Sequence, residues 1–400
     1  MKQEQKVLIT ISALKTIMSI FLGPFLTAYF LKTSKEGVMS LSEYYMISYF
    51  FLGLLTLVIA VIVNRKYRIE MYRFGVILNF IYMLAIVLLQ DRIIKYLPFV
   101  AMLNGIALST YWYPYNIFMA NKIDNKDRTR FTTVNNIVGS IVGIVTPLLL
   151  GAIITTSNFE STAIIIAILS AIVIVLSFFI KTEKDYKLPD VTYLETWDYL
   201  KKYKAIRKTY FTELLIGFAA SDGALSILTT VIIFNSFKTD MNLGIITSIA
   251  TVLKILYIQF YQKKFKGKKD KGIIIFSSIV PAISLFLLLF FPTNITMVLY
   301  NICFTVFAGL LGMIAEIRMY NICNSNLLDE DKQIEFLAIK ELILNIGRVL
   351  SYELVIILSF LQIPNSLNVL LILLTIGMVY MGYNISKLNK YENVQKEEVI

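Results

Sequence analysis

Histidine is absent from this chain of 400 residues. That absence removes imidazole acid–base chemistry, Ser-His-Asp triads and His-ligated metal sites together. No G-x-x-x-x-G-K-[ST] segment occurs, so no phosphate cradle of that kind is available for hydrolysing ATP. Cysteine is nearly as scarce. Cys303 and Cys323 fall within or at the end of one predicted helix and suggest no disulfide framework. Charged residues make up only 16%, against 57% hydrophobic residues and a mean hydropathy of +0.70. A water-soluble globule of this size cannot hide so much apolar surface, so the expected solvent is lipid.

The formal charge of +11 could suggest nucleic acid, but the basic residues lie in short clusters between apolar runs. That is the pattern of cytoplasmic loops facing anionic lipid heads, and no nucleic-acid partner is expected.

Apolar runs long enough to cross about 30 Å of hydrocarbon stand at 7–31, 41–63, 74–90, 97–120, 132–155, 161–180, 210–236, 242–262, 272–291, 295–321, 335–361 and 366–386. They predict an all-α membrane protein of twelve transmembrane helices in two pseudo-symmetric sets of six. Continuous apolar stretches of this length argue against a barrel of short alternating strands. A repeat supports the division. YNIFMANKIDNKDRTRF, from Tyr115 to Phe131, returns 205 residues later as YNICNSNLLDEDKQIEF, from Tyr320 to Phe336, with six of 17 positions identical. Each copy spans the end of the fourth apolar run in its half, the polar loop after it and the start of the fifth, as duplication of a six-helix unit leaves behind.

The resulting domains are 1–180, a linker 181–209, a second lobe 210–387 and a tail 388–400. Lysine and arginine concentrate between spans 2 and 3 (Arg65, Lys66, Arg68, Arg73), 4 and 5 (Lys122, Lys126, Arg128, Arg130), and 8 and 9 (Lys263, Lys264, Lys266, Lys268, Lys269, Lys271). The positive-inside rule then puts both termini in the cytoplasm. Segment 7–31 is too long for a signal-peptide core and reads as a retained first helix. In the linker, Leu194, Trp197, Leu200 and Tyr203 are spaced for one apolar face among Lys201, Lys202, Lys204, Arg207 and Lys208. They predict either an amphipathic helix on the cytoplasmic membrane surface or a plain solvated linker.

Spans 3, 6, 9 and 12 carry no charge, whereas 1, 7, 8, 10 and 11 do. A charge near the bilayer centre costs about 2.5–3.5 kcal/mol on insertion scales, so the charged helices are expected to face something wetter than lipid and the others to face lipid. Helical spacing gathers the polar residues into stripes: Ser12, Lys15, Ser19 and Gly23; Asp222, Ser226 and Thr229; Asn301, Thr305, Gly309, Gly312 and Glu316; Glu341, Asn345, Arg348 and Tyr352. Four stripes suggest a shared cavity. Lys15, Asp222, Glu316 and Arg348 are its candidate substrate-binding or coupling residues, each with a structural alternative. Lys15 can snorkel, Glu316 lies near its helix end, and Asp222 can pair with Lys254 or Arg348. Glu213 is out of phase with Asp222 and is assigned to packing or a salt bridge, and Lys340, Glu341, Arg318 and Glu353 to pairing near the helix ends. Tyr111 and Trp112, in an aromatic run on span 4, are further candidates because rings can grip apolar or cationic groups, although core or interfacial roles suit them too.

The two-times-six layout, the basic loops 2–3 and 8–9, and the span-5 stretch GSIVGIVTPLLLGAI together resemble the major facilitator superfamily over nearly the whole chain. Gly139, Gly143, Pro147 and Gly151 resemble the glycine-proline motif of that family's antiporters, where small residues let helices approach and proline bends them. The 2–3 loop, VIVNRKYRIEMYRFG, lacks the family's usual glycine and aspartate before its basic residues. PFVAMLNGIALSTYW lacks the fourth-helix arginine of proton-coupled drug exporters, and Arg348 stands at the 205 offset from Gly143.

The resemblance implies alternating access through spans 1, 4, 7 and 10. Without histidine, proton coupling has to use a carboxylate, and Asp222 and Glu316 are the candidates. The expected activity is secondary transport of a small organic, amphoteric or amphiphilic molecule, with export favoured over uptake. The alternatives are a flippase for lipids or lipid precursors and a non-transporting sensor. No enzyme activity, metal or cofactor is expected. The chain is expected to act as a monomer in a cell membrane, and its high Lys, Ile and Asn content suggests a low-GC bacterium.

Overall fold

A computed structural model of the chain describes residues 3–34, 36–65, 67–121, 125–180, 191–220, 223–265, 270–323, 328, 330–361 and 365–388. The first span comprises α1 (Gln3–Ile20), a π-helical turn (Phe21–Phe25) and α2 (Leu26–Thr33). Pro24 lies inside that turn, where its missing N–H breaks the regular ladder, and the Tyr45 hydroxyl donates to the Leu22 carbonyl at 3.0 Å. Then follow α3 (Gly37–Arg65), α4 (Arg68–Leu89), α5 (Leu97–Asn121), α6 (Asn125–Thr156), α7 (Phe159–Ser177), the short α8 (Tyr193–Leu200), α9 (Lys204–Ala219), α10 (Ala224–Phe237), α11 (Asp240–Phe265), α12 (Lys271–Phe290), α13 (Asn294–Cys323), α14 (Glu330–Phe360) and α15 (Ser366–Leu388). No strand occurs among the described residues.

Eleven helical segments among them are long and apolar enough to cross a membrane, with α9 and α10 counted together. The twelfth crossing is α5, at 25 residues, whose apolar character is diluted by Asn104, Ser109, Thr110 and the run from Tyr111 to Tyr115. The seventh span is interrupted rather than continuous. α9 stops at Ala219, Ala220 is extended, and α10 starts at Ala224, whose amide donates to Ser351 Oγ at 3.1 Å. A β-carbon on Gly223 would lie 2.4 Å from the Gly217 carbonyl oxygen, so only glycine permits this turn. Backbone groups freed inside a membrane need such partners.

The chain divides into two compact units, residues 1–188 with 237–249, and residues 189–236 with 250–400. Each shows the same packing plan. In the first, α1 packs on α6 and α7, and α4 on α5 and α7; in the second, α9 packs on α14 and α15, and α12 on α13 and α15. The repeated Phe131 and Phe336 are each fully buried. The plan is the duplication that the 205-residue echo implies.

On the charge-free third span, α4 buries Tyr72, Gly75, Asn79, Tyr82 and Met83 along one face and exposes Phe74, Ile77, Ile81 and Leu88 on the other. One expectation needs correction. Helix α8 forms, but its apolar residues do not share one face. Six residues advance a helix by about 600°, so Leu194 lies roughly 120° from Leu200. Leu200 is fully buried with Ile206, Tyr210, Ile322 and Phe336, whereas Leu194 is 83% exposed. The helix is therefore docked on the second unit. On its outer surface the Lys201 ammonium, hydrogen-bonded at 2.5 Å, holds the Asp198 carboxyl below its ordinary range.

Candidate functional site

Lys15 is buried on α1. Its ammonium donates to Asn79 Oδ1 at 2.9 Å and stands 4.0 Å from the centre of the Tyr111 ring. It does not snorkel. Asn79 is oriented for this contact, because its Nδ2 donates to the carbonyls of Gly75 (2.9 Å) and Ala107 (3.2 Å), which leaves Oδ1 facing the cation. The close approach of α4 to α5 makes that possible: a β-carbon on Gly75 would sit 2.5 Å from the Thr110 backbone.

The aromatic run on α5 builds the wall behind. Tyr111 stacks on Tyr115 with ring centres 5.6 Å apart and meets Trp112 edge-on at 5.2 Å, while Tyr72 of α4 stands 5.3 Å away. Between α1 and α5 lies a recess of about 180 Å³ lined by Ser12, Lys15, Thr16, Ser19, Ile20, Tyr111, Trp112 and Tyr115. Trp112, 43% exposed, forms its open edge. Hydroxyls, one ammonium and an aromatic wall suit a ligand with a negative group beside a flat or apolar part. None of the ion pairs among the described residues includes Lys15.

The second unit holds a different cluster. Lys340 is 2.9 Å from Glu341 and 3.7 Å from Glu213, which is buried on α9. Arg348 donates to Asn345 Oδ1 at 2.9 Å, and Asn345 donates to the Glu341 carbonyl at 2.8 Å, so Glu341, Asn345 and Arg348 of the predicted stripe on α14 are connected. Glycines bring the helices together: a β-carbon on Gly217 would lie 2.0 Å from the Leu344 carbonyl oxygen, and one on Gly347 2.2 Å from that of Leu214. Glu316 is exposed on α13, near enough to act electrostatically on Glu213. It stands 205 residues after Tyr111, so the position that closes the aromatic recess in one repeat carries a carboxylate in the other. Asp222, in the interval between α9 and α10, lies outside the described residues.

In the glycine-proline stretch, Gly139 faces open space, whereas Gly151 would place a β-carbon 2.8 Å from the Asp240 carbonyl oxygen. Gly244 would place one 2.3 Å from the carbonyl oxygen of Pro147, and Ser248 Oγ donates to Ile144 O at 2.8 Å. The stretch thus packs against the first part of α11, within the first unit. Gly143 is half-buried on the same helix.

Sequence reasoning missed two partners. Asn79 is uncharged and 64 residues from Lys15. Asp270 sits among loop lysines, yet Arg318 pairs with it at 2.7 Å, donates also to the Ile385 carbonyl, and both side chains are buried.

A Major Facilitator Superfamily model matches residues 8–352. The chain belongs to that superfamily. Among curated proteins, the uncharacterized protein YqgE of Bacillus subtilis (strain 168) is 23% identical over 291 residues, 71% of this chain and just under two thirds (66%) of that protein's own length. Among solved structures, the nucleoside transporter NupG superposes with a TM-score of 0.66 at 15% identity, covering 98% of this chain and 100% of that one. A POT family transporter in complex with 5-aminolevulinic acid gives 0.71 at 11% identity, covering 98% and 96%. A bacterial homolog of the human lysosomal transporter Spinster gives 0.65 at 12%, covering 99% and 100%. At these identities the likeness shows the fold alone: twelve helices in two pseudo-symmetric lobes.

Proposed function

We propose that this superfamily member is a secondary transporter that exports a small organic molecule, amphiphilic or amphoteric and bearing an anionic group, in exchange for protons. The observation that carries this reading is the Lys15 ammonium, buried inside a membrane-spanning helix and held by an amide oxygen and a ring face rather than by a carboxylate. A charge in that setting is costly unless a partner arrives, and a substrate anion is such a partner. Trp112 and Tyr115 then take the apolar part by stacking. Alternating exposure of the site to the two sides moves the substrate.

Proton coupling falls to carboxylates, since the chain has no histidine. Glu213 and Glu341 share the single ammonium of Lys340, and Glu316 and Arg348 add one charge of each sign nearby. Among the described residues these are three carboxylates and two cations, an excess that favours proton uptake by one carboxylate. Asp222 and Glu316 remain coupling candidates, and Glu213 joins them. The distribution of Lys and Arg supports a cell-membrane orientation with both termini cytoplasmic, and the protein is read as a monomer.

The test is proton flux in proteoliposomes of the full chain, driven by a ligand found in a panel of antibiotics, peptides, sugars, amino acids and lipid precursors. Substrate-driven flux is expected in the wild type and is expected to fall at least tenfold in one or more of Glu213→Gln, Asp222→Asn and Glu316→Gln. Flux unchanged in all three would remove proton coupling, and uptake without export would reverse the direction.

A further inference from the structure

On the second unit, α11 and α13 border an apolar groove of about 400 Å³, lined by Leu253, Leu256, Tyr257 and Phe260 on one side and Val306 and Phe307 on the other. Its end toward the last turn of α11 is cationic. Lys263 and Lys264 are both exposed there, and the Lys264 ammonium stands 5.3 Å from the ring centre of Phe260, itself part of the groove. Neither lysine joins an ion pair among the described residues.

We propose that this groove binds one anionic phospholipid, with an acyl chain along the apolar wall and the phosphodiester on Lys263 and Lys264. The dimensions agree: the eleven helical steps from Leu253 to Lys264 rise about 16 Å, close to the roughly 15 Å of hydrocarbon in one leaflet. A lysine pair at the depth of the head groups above a chain-deep apolar groove is complementary to a lipid of negative charge. Leu256, Tyr257, Phe260 and Phe307 are bulky, unlike the small residues by which membrane helices approach one another, so the shape favours a flexible chain over a second protein helix. The site is separate from the Lys15 recess, which lies in the first unit.

The test uses the full chain in phosphatidylcholine vesicles with Leu256→Trp as reporter. Leu256 is more than half exposed, so the change leaves internal packing alone. Fluorescence from Trp112 and Trp197 is subtracted with the wild type. Brominated phosphatidylglycerol is expected to quench the added tryptophan at a lipid fraction on the order of tenfold lower than brominated phosphatidylcholine. Lys263→Gln with Lys264→Gln is expected to equalise the two lipids, while Lys201→Gln with Lys202→Gln, in the turn after α8, leaves the preference intact. Equal quenching by both lipids in the unaltered lysine background, or a preference that survives loss of Lys263 and Lys264, would overturn the proposal. So would the absence of quenching by either lipid together with cross-linking of two chains through this face, which would assign the groove to a second copy.

Discussion

Lys15 and Asn79 meet 2.9 Å apart across α1 and α4, an ammonium held by a neutral oxygen within a membrane-spanning unit. The pairing orients the cation toward the recess without cancelling its charge. Asn79→Asp is therefore the informative change. It keeps the bond to Lys15 and supplies a counter-ion, but replaces the Nδ2 donor to the Gly75 and Ala107 carbonyls with a carboxylate oxygen, so thermal stability in detergent is expected to fall modestly while affinity for an anionic ligand falls at least tenfold. A variant that binds as tightly as the wild type would show that the charge of Lys15 is not offered to ligand.

Gly217 and Gly347 set the spacing of α9 and α14, and with it the Glu213–Lys340 distance of 3.7 Å. Overpacking of a close contact costs about 1–3 kcal/mol, occasionally more. Gly217→Val is expected to lower the thermal midpoint by several degrees, whereas Gly139→Ala, with open space around it, is expected to leave it within about a degree. Scanning fluorimetry of the two purified variants checks the contrast.

Arg318 and Asp270 form a buried pair, and removal of one partner strands the other. Arg318→Ala is expected to destabilise by about 3–5 kcal/mol, and the double change with Asp270→Ala by less than the sum of the two single changes. A double-mutant cycle of unfolding midpoints measures the coupling. Additive effects would contradict a direct pair.

Leu200 and Leu194 lie on one short helix with opposite fates. Leu200→Ala opens a cavity among Ile206, Ile322 and Phe336 and is expected to cost about 2–5 kcal/mol, while Leu194→Ala, at a side chain 83% exposed, is expected to be near neutral. Equal effects on thermal stability would mean that α8 is not docked as described.

The crossings were legible because length and freedom from charge are properties of a single stretch of chain, and the repeat revealed the two halves. Partners were harder. Lys15 stood out as a cation in an apolar run, but Asn79 carries no charge and sits on a span that composition alone assigns to lipid. Asp270 was masked by its lysine neighbours, since a loop rich in one charge reads as solvated whatever single carboxylate it contains. The break between α9 and α10 depends on how closely Gly223 approaches Gly217, a contact that spacing along the chain does not display. The i, i+3 spacing of Leu194, Trp197, Leu200 and Tyr203 misled because three residues fall short of a full turn and the error accumulates.

The most direct test is the ligand-dependent thermal shift of the purified wild type beside Lys15→Met and Trp112→Ala, across the panel described above. A ligand that binds the folded state raises the midpoint. At least one anionic, partly apolar compound is expected to stabilise the wild type, lose its effect in Lys15→Met and be weakened in Trp112→Ala. A stabilising compound whose shift is the same in all three proteins would contradict the assignment of the α1–α5 recess as the substrate site.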